Sequence, residues 1–357
     1  MSRIDITTKR EAPKTQRFAP VGLVFGLLGL TLFVYFVRKA GFGEVLSGIS
    51  RLGWAFVIIL AISGVRYVVR AIAWTKCVEK PYSLRFRDAF AARLMGDALG
   101  NIIPLISFAL SEPSKAVFVK DRVPLIVGLS ALAIENICYG LSVSFFVLAG
   151  TTTLLLSFSL PKPLHYASLV TLFVTIAIIP LAVLVINRRA KFLTGVIHFL
   201  ERRGVARKAL SRIEPKARTV EERICGFYAR NRDTLLPLFI LESLFHLAGI
   251  CEIYTTLWFI SPTVPSFRQA FVLESVNRII NMVFKFMPFR VGVDEGGTEQ
   301  VAKVLGLVKS TGVALAIVRK SRDIFWSTIG VVLLLKRGFS IRKMNETSSE
   351  SLSNAAG

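Results

Sequence analysis

Residues 93–115 read RLMGDALGNIIPLISFALSEPSK, and residues 277–297 read NRIINMVFKFMPFRVGVDEGG. Each stretch places charges, amides and a proline inside a chain that is otherwise strongly apolar. In both stretches polar side chains stand 3, 7 and 11 residues before the proline, and a glutamate follows the proline closely. The two sets are Asn101, Asp97 and Arg93 before Pro104, with Glu112 after it, and Lys285, Asn281 and Asn277 before Pro288, with Glu295 after it. Matching interruptions in two halves of a membrane chain are the best sequence indication of a transporter's binding site.

The composition assigns the chain to the integral membrane proteins. Of its 357 residues 53% are hydrophobic, and several apolar runs are long enough to cross roughly 30 Å of hydrocarbon. We predict an all-α, polytopic membrane helix bundle with about six full spans. These spans are 20–37, 54–74, 124–148, 169–186, 235–260 and 312–335. The first run is too long for a cleaved signal peptide and is expected to remain as a helix.

Basic residues predict the orientation of the chain in a bacterial inner membrane. The net charge is +22, and residues 188–233 alone hold thirteen Lys or Arg against five acids. By the positive-inside tendency this segment and both termini belong in the cytoplasm. The links at 156–166 and 261–266 carry one Lys and no basic residue, respectively, and belong outside.

The number of crossings then determines the path of the two interrupted stretches. Only one full span separates the basic segment 76–93 from the outer link 156–166, so residues 89–122 must enter and leave from the cytoplasmic side. The same reasoning makes residues 270–306 enter and leave from outside. The sequence therefore predicts two re-entrant helical hairpins in an inverted repeat, with their tips lining a cavity. The predicted divisions are a tail at 1–19, a membrane domain at 20–336 with repeats at about 54–150 and 235–335 and a linker at 187–233, and a disordered tail at 337–357.

The polar side chains of each hairpin recur every three to four residues and so share one helix face. Two interpretations remain compatible: a ligand-binding surface, or a hydrogen-bonded seam that holds the hairpin in the bundle. We expect Gly292, Gly296 and Gly297 to form the second turn, with Glu295 near the start of the returning helix.

Ionisable residues inside spans are costly unless they are paired or wet. Glu135 lies mid-span. Four charges, Arg319, Lys320, Arg322 and Asp323, interrupt the last span and are expected to line an aqueous cavity. Of these, Arg319 and Asp323 stand at i and i+4 and are spaced to pair on one face. For Arg66 and Arg70 we expect snorkelling to the cytoplasmic interface. Glu242 and His246, also at i and i+4, are interpreted as a buried hydrogen-bonded pair, with proton handling as the alternative.

Other chemistry has little support in the sequence. The four cysteines and three histidines show no metal or redox spacing, and no phosphate-binding loop occurs, so we expect no metal and no cofactor. The positive charge lies beside membrane spans, which argues against nucleic-acid binding. Within 187–234, residues 192–203 are interpreted either as an interfacial helix on an anionic leaflet or as part of a solvated linker.

Several short motifs together resemble the transmembrane region of lysylphosphatidylglycerol synthases, a flippase-like membrane family. They are Arg70-x-x-x-Trp74, the run from Gly96 to Pro104 with Glu112-Pro-Ser-Lys115, Ala133-Ile-Glu135-Asn136, and the run from Pro288 to Glu295 followed by Arg319 and Gly330. The resemblance covers roughly residues 20–336. It implies a polytopic bundle that moves a lipid between leaflets. The aminoacyl-transferring domain of the synthases is absent from this chain, so lipid synthesis is not implied.

The resulting hypothesis is a non-enzymatic lipid flippase whose cavity shelters a polar, phosphate-bearing head group of an anionic phospholipid or polyprenyl phosphate. The predicted cavity residues are Arg93, Asp97, Asn101, Glu112, Lys115, Glu135, Asn277, Asn281, Lys285, Arg290, Glu295, Arg319 and Asp323. Lys and Arg would engage phosphate, and the glutamates would hold these cations. The alternatives are a non-transporting lipid-binding scaffold for a biosynthetic enzyme, recruited through the basic segment, and a membrane-embedded transferase using Glu112 or Glu295 as base.

Overall fold

A computed structural model describes residues 52–102, 107–187, 192–203, 207–284, 287, 290 and 292–354, with seven scattered positions between 31 and 50. The described chain is all-α. Eleven helices run through these ranges: α1 Ala55–Lys76, α2 Phe86–Ile102, α3 Ser107–Phe118, α4 Leu125–Ser157, α5 Lys162–Asn187, α6 Phe192–Arg202, α7 Arg207–Arg230, α8 Arg232–Ile260, α9 Phe267–Val283, α10 Val293–Val304 and α11 Lys309–Asn354.

Four of these helices have the length and composition of membrane spans: α1, α4, α5 within Lys162–Pro180, and α8. They coincide with four of the six predicted spans, so the chain is a polytopic helical membrane protein. The predicted span 20–37 lies outside the described residues. The predicted span 312–335 is helical within α11. It carries four charges, at Arg319, Lys320, Arg322 and Asp323, and so lacks the apolar composition of the other four spans.

Local sequence explains where the second hairpin begins and turns. Ser266 caps α9 by accepting a hydrogen bond from the Gln269 amide, and the Gln269 side chain accepts from the Ser266 amide, which is a capping box. Gly292 precedes α10 with a φ of 86°, a left-handed conformation that glycine adopts without strain. Glu295 is the third residue of α10 and accepts a hydrogen bond from the Gly292 amide at 2.7 Å. The expected place of Glu295, at the start of the returning helix, is confirmed. Gly296 and Gly297 lie within α10, so the expectation that they form the turn with Gly292 is wrong.

The helix packing is repeated in the two halves of the chain. If α1, α2, α3 and α4 are exchanged for α8, α9, α10 and α11, each packed pair within this set maps onto another packed pair. The pairs are α1–α2 and α8–α9, α2–α3 and α9–α10, α3–α4 and α10–α11, α2–α11 and α9–α4, α1–α4 and α8–α11, and α1–α11 and α8–α4, with α1–α8 mapping onto itself. The first arm of each hairpin therefore packs on the last helix of the other half.

Glycines at equivalent places permit these close contacts. Gly128 and Gly312 are the fourth residues of α4 and α11, and each faces an alanine of the preceding helix, Ala116 or Ala302. A Cβ at Gly312 would lie 2.8 Å from the Ala302 Cβ, closer than packed atoms allow. A glycine–alanine contact therefore occurs at the same place in both halves.

The remaining helices lie at the periphery. α5 packs chiefly on α4 and exposes large apolar side chains such as Phe173, 68% exposed, as expected of a helix in contact with lipid. α6 packs on α7, which packs on α4 through buried Phe227. α11 stays helical through Asn354, which includes most of the segment for which we predicted a disordered tail. The domain limits remain a prediction.

Candidate functional site

A polar cavity of about 150 Å³ lies where α1, α2, α8 and α11 meet. Its lining is Ser63, Arg66, Tyr67 and Arg70 from α1, Arg93 and Asp97 from α2, Phe245 from α8, and Arg322 and Asp323 from α11. Arg66 is the twelfth residue of the 22-residue helix α1, about 16 Å along its axis at 1.5 Å per residue. The cavity is therefore at a depth near the middle of a membrane span.

Two buried glutamates hold the four cavity arginines in pairs. Glu135 of α4 is fully buried and contacts Arg70 at 2.8 Å and Arg93 at 2.6 Å. Glu252 of α8 is 2% exposed; it contacts Arg66 at 3.0 Å and forms a second ion pair with Arg322. Neither glutamate lines the cavity. Each carboxylate thus fixes two guanidinium groups of the lining, and Arg322 is held in addition by Asp323, which also lines the cavity.

This arrangement makes the surface of the cavity cationic. Its lining carries four guanidinium groups and two carboxylates, a difference of two positive charges, while Glu135 and Glu252 compensate from outside the lining. Burying charges in a bilayer costs several kcal/mol each unless they are paired, and the two glutamates provide that pairing. An anion that enters the cavity meets planar donors already held in position, which suits bidentate binding of phosphate or carboxylate.

The first hairpin contributes a second, connected set of ion pairs. Lys115 of α3 is 1% exposed and lies between Asp97 at 2.8 Å and Glu112 at 2.7 Å. Glu112 also accepts a hydrogen bond from the Asn136 amide group at 2.9 Å, and Asn136 accepts one from Arg70 at 2.9 Å. The contacts from Lys115 to Arg70 therefore join α3, α4 and α1. They connect the ion pairs of the first hairpin to Arg70, which lines the cavity.

Close packing of the two hairpin arms depends on a small residue. A Cβ at Gly96 would lie 2.4 Å from the Lys115 Cγ, so only glycine leaves room for the lysine stem. The predicted site residue Asn101, one turn further along α2, donates to Ser327 of α11 at 2.8 Å. This contact is a seam between the halves, away from the cavity lining.

The second hairpin reaches the cavity through α11. Arg290, which has a φ of 49°, contacts Asp323 at 2.8 Å, and Asp323 also contacts Arg322 at 2.7 Å. Lys320 pairs with Glu295. The predicted residues Arg290, Glu295 and Asp323 thus belong to one group of ion pairs on the α11 side of the cavity.

The predicted Arg319–Asp323 pair is wrong. Arg319 is 2% exposed and contacts Asp294 of α10 at 3.1 Å, with Thr298 as a second partner. Asp323 instead faces Arg290 and Arg322. The i, i+4 spacing correctly indicated that Arg319 and Asp323 lie on one helix. It could not show that Asp294, on the returning helix α10, lies closer to Arg319.

Asn277 and Asn281 lie in a separate cluster on α9. The Asn277 side chain donates to Glu274 at 3.1 Å, and the Asn281 side chain donates to Asn277 Oδ1 at 3.1 Å. Arg278 pairs with Glu274. None of these residues lines the cavity. The predicted site residue Lys285, together with Pro104 and Pro288, lies outside the described residues.

Four functional candidates were missed or misinterpreted from the sequence. Arg66 and Arg70 line the cavity and pair with glutamates, so the expectation that they snorkel to the interface is wrong. Glu252 was not singled out, and Arg322, although expected with the other charges of the last span to line an aqueous cavity, was left out of the predicted site residues. A signal for Glu252 existed, since it is a lone acid among apolar neighbours late in α8. Glu242 and His246 do not pair: Glu242 lies 3.9 Å from Arg70, and His246 shares a hydrogen bond with Ser142 at 3.0 Å.

Metal-binding geometry is not found in the part of the chain that the structure describes, where no three His, Cys, Asp or Glu side chains are grouped to hold an ion. The described site is a set of arginine–carboxylate pairs around a polar cavity.

Comparison with known proteins identifies the family of the chain. Residues 21–330 match the model of the lysylphosphatidylglycerol synthase TM region, and no catalytic domain was detected beside it. Searches of curated proteins and of solved structures gave no significant match. Since the family match covers most of the chain, the chain belongs to the lysylphosphatidylglycerol synthase TM region family.

Proposed function

We propose that this protein translocates a lipid with a phosphate-bearing head group between the leaflets of a bacterial inner membrane. The observation that carries the proposal is the cavity in which Glu135 and Glu252 each hold two arginines. Charged residues inside a membrane are rare and expensive, and they mark pathways for polar solutes. The family match supports a lipid as the substrate, since it associates this membrane region with a lipid-modifying enzyme.

In this proposal the chain forms an inverted repeat with six full spans, two re-entrant hairpins and both termini in the cytoplasm. The repeated packing of α1–α4 and α8–α11 supports two equivalent halves, and the charge of the loops supports their opposite orientation. α11 is then the sixth span, and its four charges face ion partners inside the protein. Rocking of one half against the other would expose the cavity to each leaflet in turn.

The head group would bind by its phosphate to Arg66, Arg70 and Arg322, while the acyl or isoprenoid chains remain in lipid. Three features support this pose: the arginines reach the cavity from two halves of the protein, their partners Glu135 and Glu252 lie outside the lining, and Tyr67 and Ser63 add hydroxyl groups to it. No group resembling an activated nucleophile accompanies the described carboxylates, so we propose transport without chemistry.

Reconstituted protein tests this proposal directly. Liposomes containing fluorescent phosphatidylglycerol would be treated with an impermeant quencher, and parallel liposomes would contain a labelled polyprenyl phosphate. We expect the protein to bring the inner-leaflet label to the outer leaflet, and Arg66→Gln or Arg322→Gln to slow this by roughly tenfold or more, the equivalent of about 1.4 kcal/mol. Arg218→Gln is the matched control, because Arg218 pairs with Glu222 on the exposed face of α7. Absence of translocation for both lipids, or equal rates for the cavity variants and the control, would refute the proposal.

The scaffold alternative is favoured by one observation, the exposed surface of α6. Phe199 is 57% exposed and Val196 42% exposed, beside several cations of the linker. If this surface recruits a lipid-biosynthetic enzyme, neutralising linker arginines would abolish function in cells while cavity variants would spare it. Purified protein would then retain phospholipid without moving it.

A further inference from the structure

The polar cluster on α9, formed by Glu274, Asn277, Arg278 and Asn281, lies outside the lining of the cavity. Arg278 is 6% exposed, and the only ion pair it makes among the described residues is with Glu274. Its Nε and the Asn281 Oδ1 are buried without a hydrogen-bond partner in the described structure. Buried polar atoms are normally paired, and each exception needs an explanation. An unoccupied or closed ligand site is such an explanation.

A single aromatic ring connects this cluster to the cavity. Phe245 lines the cavity. The Cζ atoms of Arg66 and Arg278 lie 4.5 Å and 4.8 Å, respectively, from the centre of the Phe245 ring. The two guanidinium carbons are therefore at most 9.3 Å apart. A phosphate group that moves past Phe245 would exchange one guanidinium for the other within this distance.

The repeated packing explains why a second site belongs at this place. The cavity lies between α1, α2, α8 and α11. Exchange of the two halves maps these helices onto α8, α9, α1 and α4, and the Arg278 cluster lies on α9 beside α8. The cluster thus occupies the position that is equivalent to Arg93 and Asp97 of α2.

Aromatic side chains close this second position in the structure. The His246 ring stacks on Phe146 with centres 4.6 Å apart, and Phe146 meets Phe271 edge-on at 5.2 Å. Tyr139 contacts the Phe245 ring edge-on at 5.2 Å. Gly249 lets α9 come close, since a Cβ there would lie 2.3 Å from Glu274 Oε1. Aromatic rings of α4, α8 and α9 therefore pack against one another beside the Arg278 cluster in this conformation.

We propose that Arg278, with Asn277 and Asn281, forms a second station for the same phosphate-bearing head group, and that Phe245 is the gate between this station and the cavity. The inference rests on the proposed function, because the ligand is the lipid that the cavity receives. When the halves rock, Phe245 turns away, Arg278 gains the phosphate as the partner its Nε lacks, and the cavity closes. One conformation exposes the arginines of α1, and the other exposes Arg278.

Cysteine labelling tests the gate. Asn277, which is 2% exposed, is replaced by cysteine in protein whose four native cysteines are changed to alanine, and the rate of reaction with an impermeant anionic thiosulfonate is measured. We expect slow reaction, and an increase of tenfold or more when Phe245→Ala is added. The control is Phe239→Ala, which also removes a ring from α8, but one that packs edge-on against Phe145, itself 47% exposed. Equal rates for the two alanine variants would overturn the gate.

Protection by ligand tests the station itself. In the Phe245→Ala background, phosphatidylglycerol vesicles should slow labelling of Asn277→Cys at least fivefold, whereas phosphatidylcholine vesicles and free glycerol phosphate should not. Arg278→Gln should abolish this protection, and Arg278→Lys should retain part of it. Protection that survives Arg278→Gln, or that free glycerol phosphate provides equally well, would overturn the assignment of a lipid site at Arg278.

The two proposals fail differently. If wild-type protein moves labelled phosphatidylglycerol and Arg278→Gln moves it at the same rate, the second station is wrong and translocation stands. If wild-type protein moves no lipid while phosphatidylglycerol still protects Asn277→Cys in the way described, the station stands and translocation is wrong.

Discussion

Removal of the Glu135 charge is the most direct test of the way the site is built. Glu135 is fully buried and contacts Arg70 at 2.8 Å and Arg93 at 2.6 Å. In Glu135→Gln the shape is kept, but two guanidinium groups lose their shared carboxylate. Arg70 keeps Glu242 at 3.9 Å and Asn136 at 2.9 Å, whereas Arg93 has no further ion pair among the described residues. Loss of the carboxylate should therefore cost more free energy at Arg93 than at Arg70.

The magnitude follows from the burial of the pair. Breaking a buried ion pair by removing one partner costs about 3–5 kcal/mol, because the remaining charge is uncompensated. We expect Glu135→Gln to lower the midpoint of thermal denaturation in detergent by roughly 5–10 °C. Glu222→Gln, which breaks the exposed Arg218–Glu222 pair, should cost no more than about 0.5 kcal/mol.

A double variant separates the charge effect from any change in packing. Adding Arg93→Gln to Glu135→Gln removes the cation that was left unpaired, so the double variant should be more stable than Glu135→Gln alone by roughly 1 kcal/mol or more. Size-exclusion chromatography after heating would measure all variants in the same detergent. If Glu135→Gln is as stable as Glu222→Gln, or if the second substitution lowers stability additively, Glu135 does not hold the arginines in the way the structure indicates.

Other predictions follow from the same contacts. Glu252→Gln should reduce retention of phosphatidylglycerol during purification roughly tenfold, as measured by mass spectrometry, because Arg66 and Arg322 lose the carboxylate that orients them; unchanged retention would argue against the cavity as the binding site. Gly330→Ala should destabilise the protein by about 1–3 kcal/mol in thermal denaturation, because its Cβ would lie 2.3 Å from the Leu94 carbonyl oxygen. The paired control, Gly140→Ala, has nothing within 4 Å of the added Cβ and should be neutral or slightly stabilising; equal losses for both glycines would contradict the close contact of α11 with α2.

Local patterns predicted the parts of this structure that depend on neighbours in sequence. The polar residues on the first hairpin helix recur every four positions, and the helix indeed presents Arg93 and Asp97 to the cavity. The returning helix α10 begins at the glycine and glutamate that suggested a turn. Such features depend on helix periodicity and backbone conformation, which a short sequence contains.

The partners of the charges could not be predicted, because they are distant in sequence. Arg66 meets Glu252 across 186 positions, and Arg70 meets Glu135 across 65. An arginine in an apolar helix is equally compatible with the interface and with a buried carboxylate until the packing of α1 on α8 is known. Glu135 was recognised only because it stands alone in its span, and that signal does not name its partners.

Buried ion pairs are a poor way to stabilise a helix bundle, and this bears on why the cavity is charged. Replacing a buried pair by apolar side chains of similar volume is often neutral or stabilising, and lipid-exposed helices pack well through small residues such as Gly128 and Gly312. The packing of α1, α2, α8 and α11 thus does not require arginines at its centre. Under the proposed function, Glu135 and Glu252 lower the cost of keeping the arginines in the membrane without lining the cavity themselves. A surface of this kind is useful only if an anion enters it, and for a protein of this family the anion that we propose is the phosphate of a lipid.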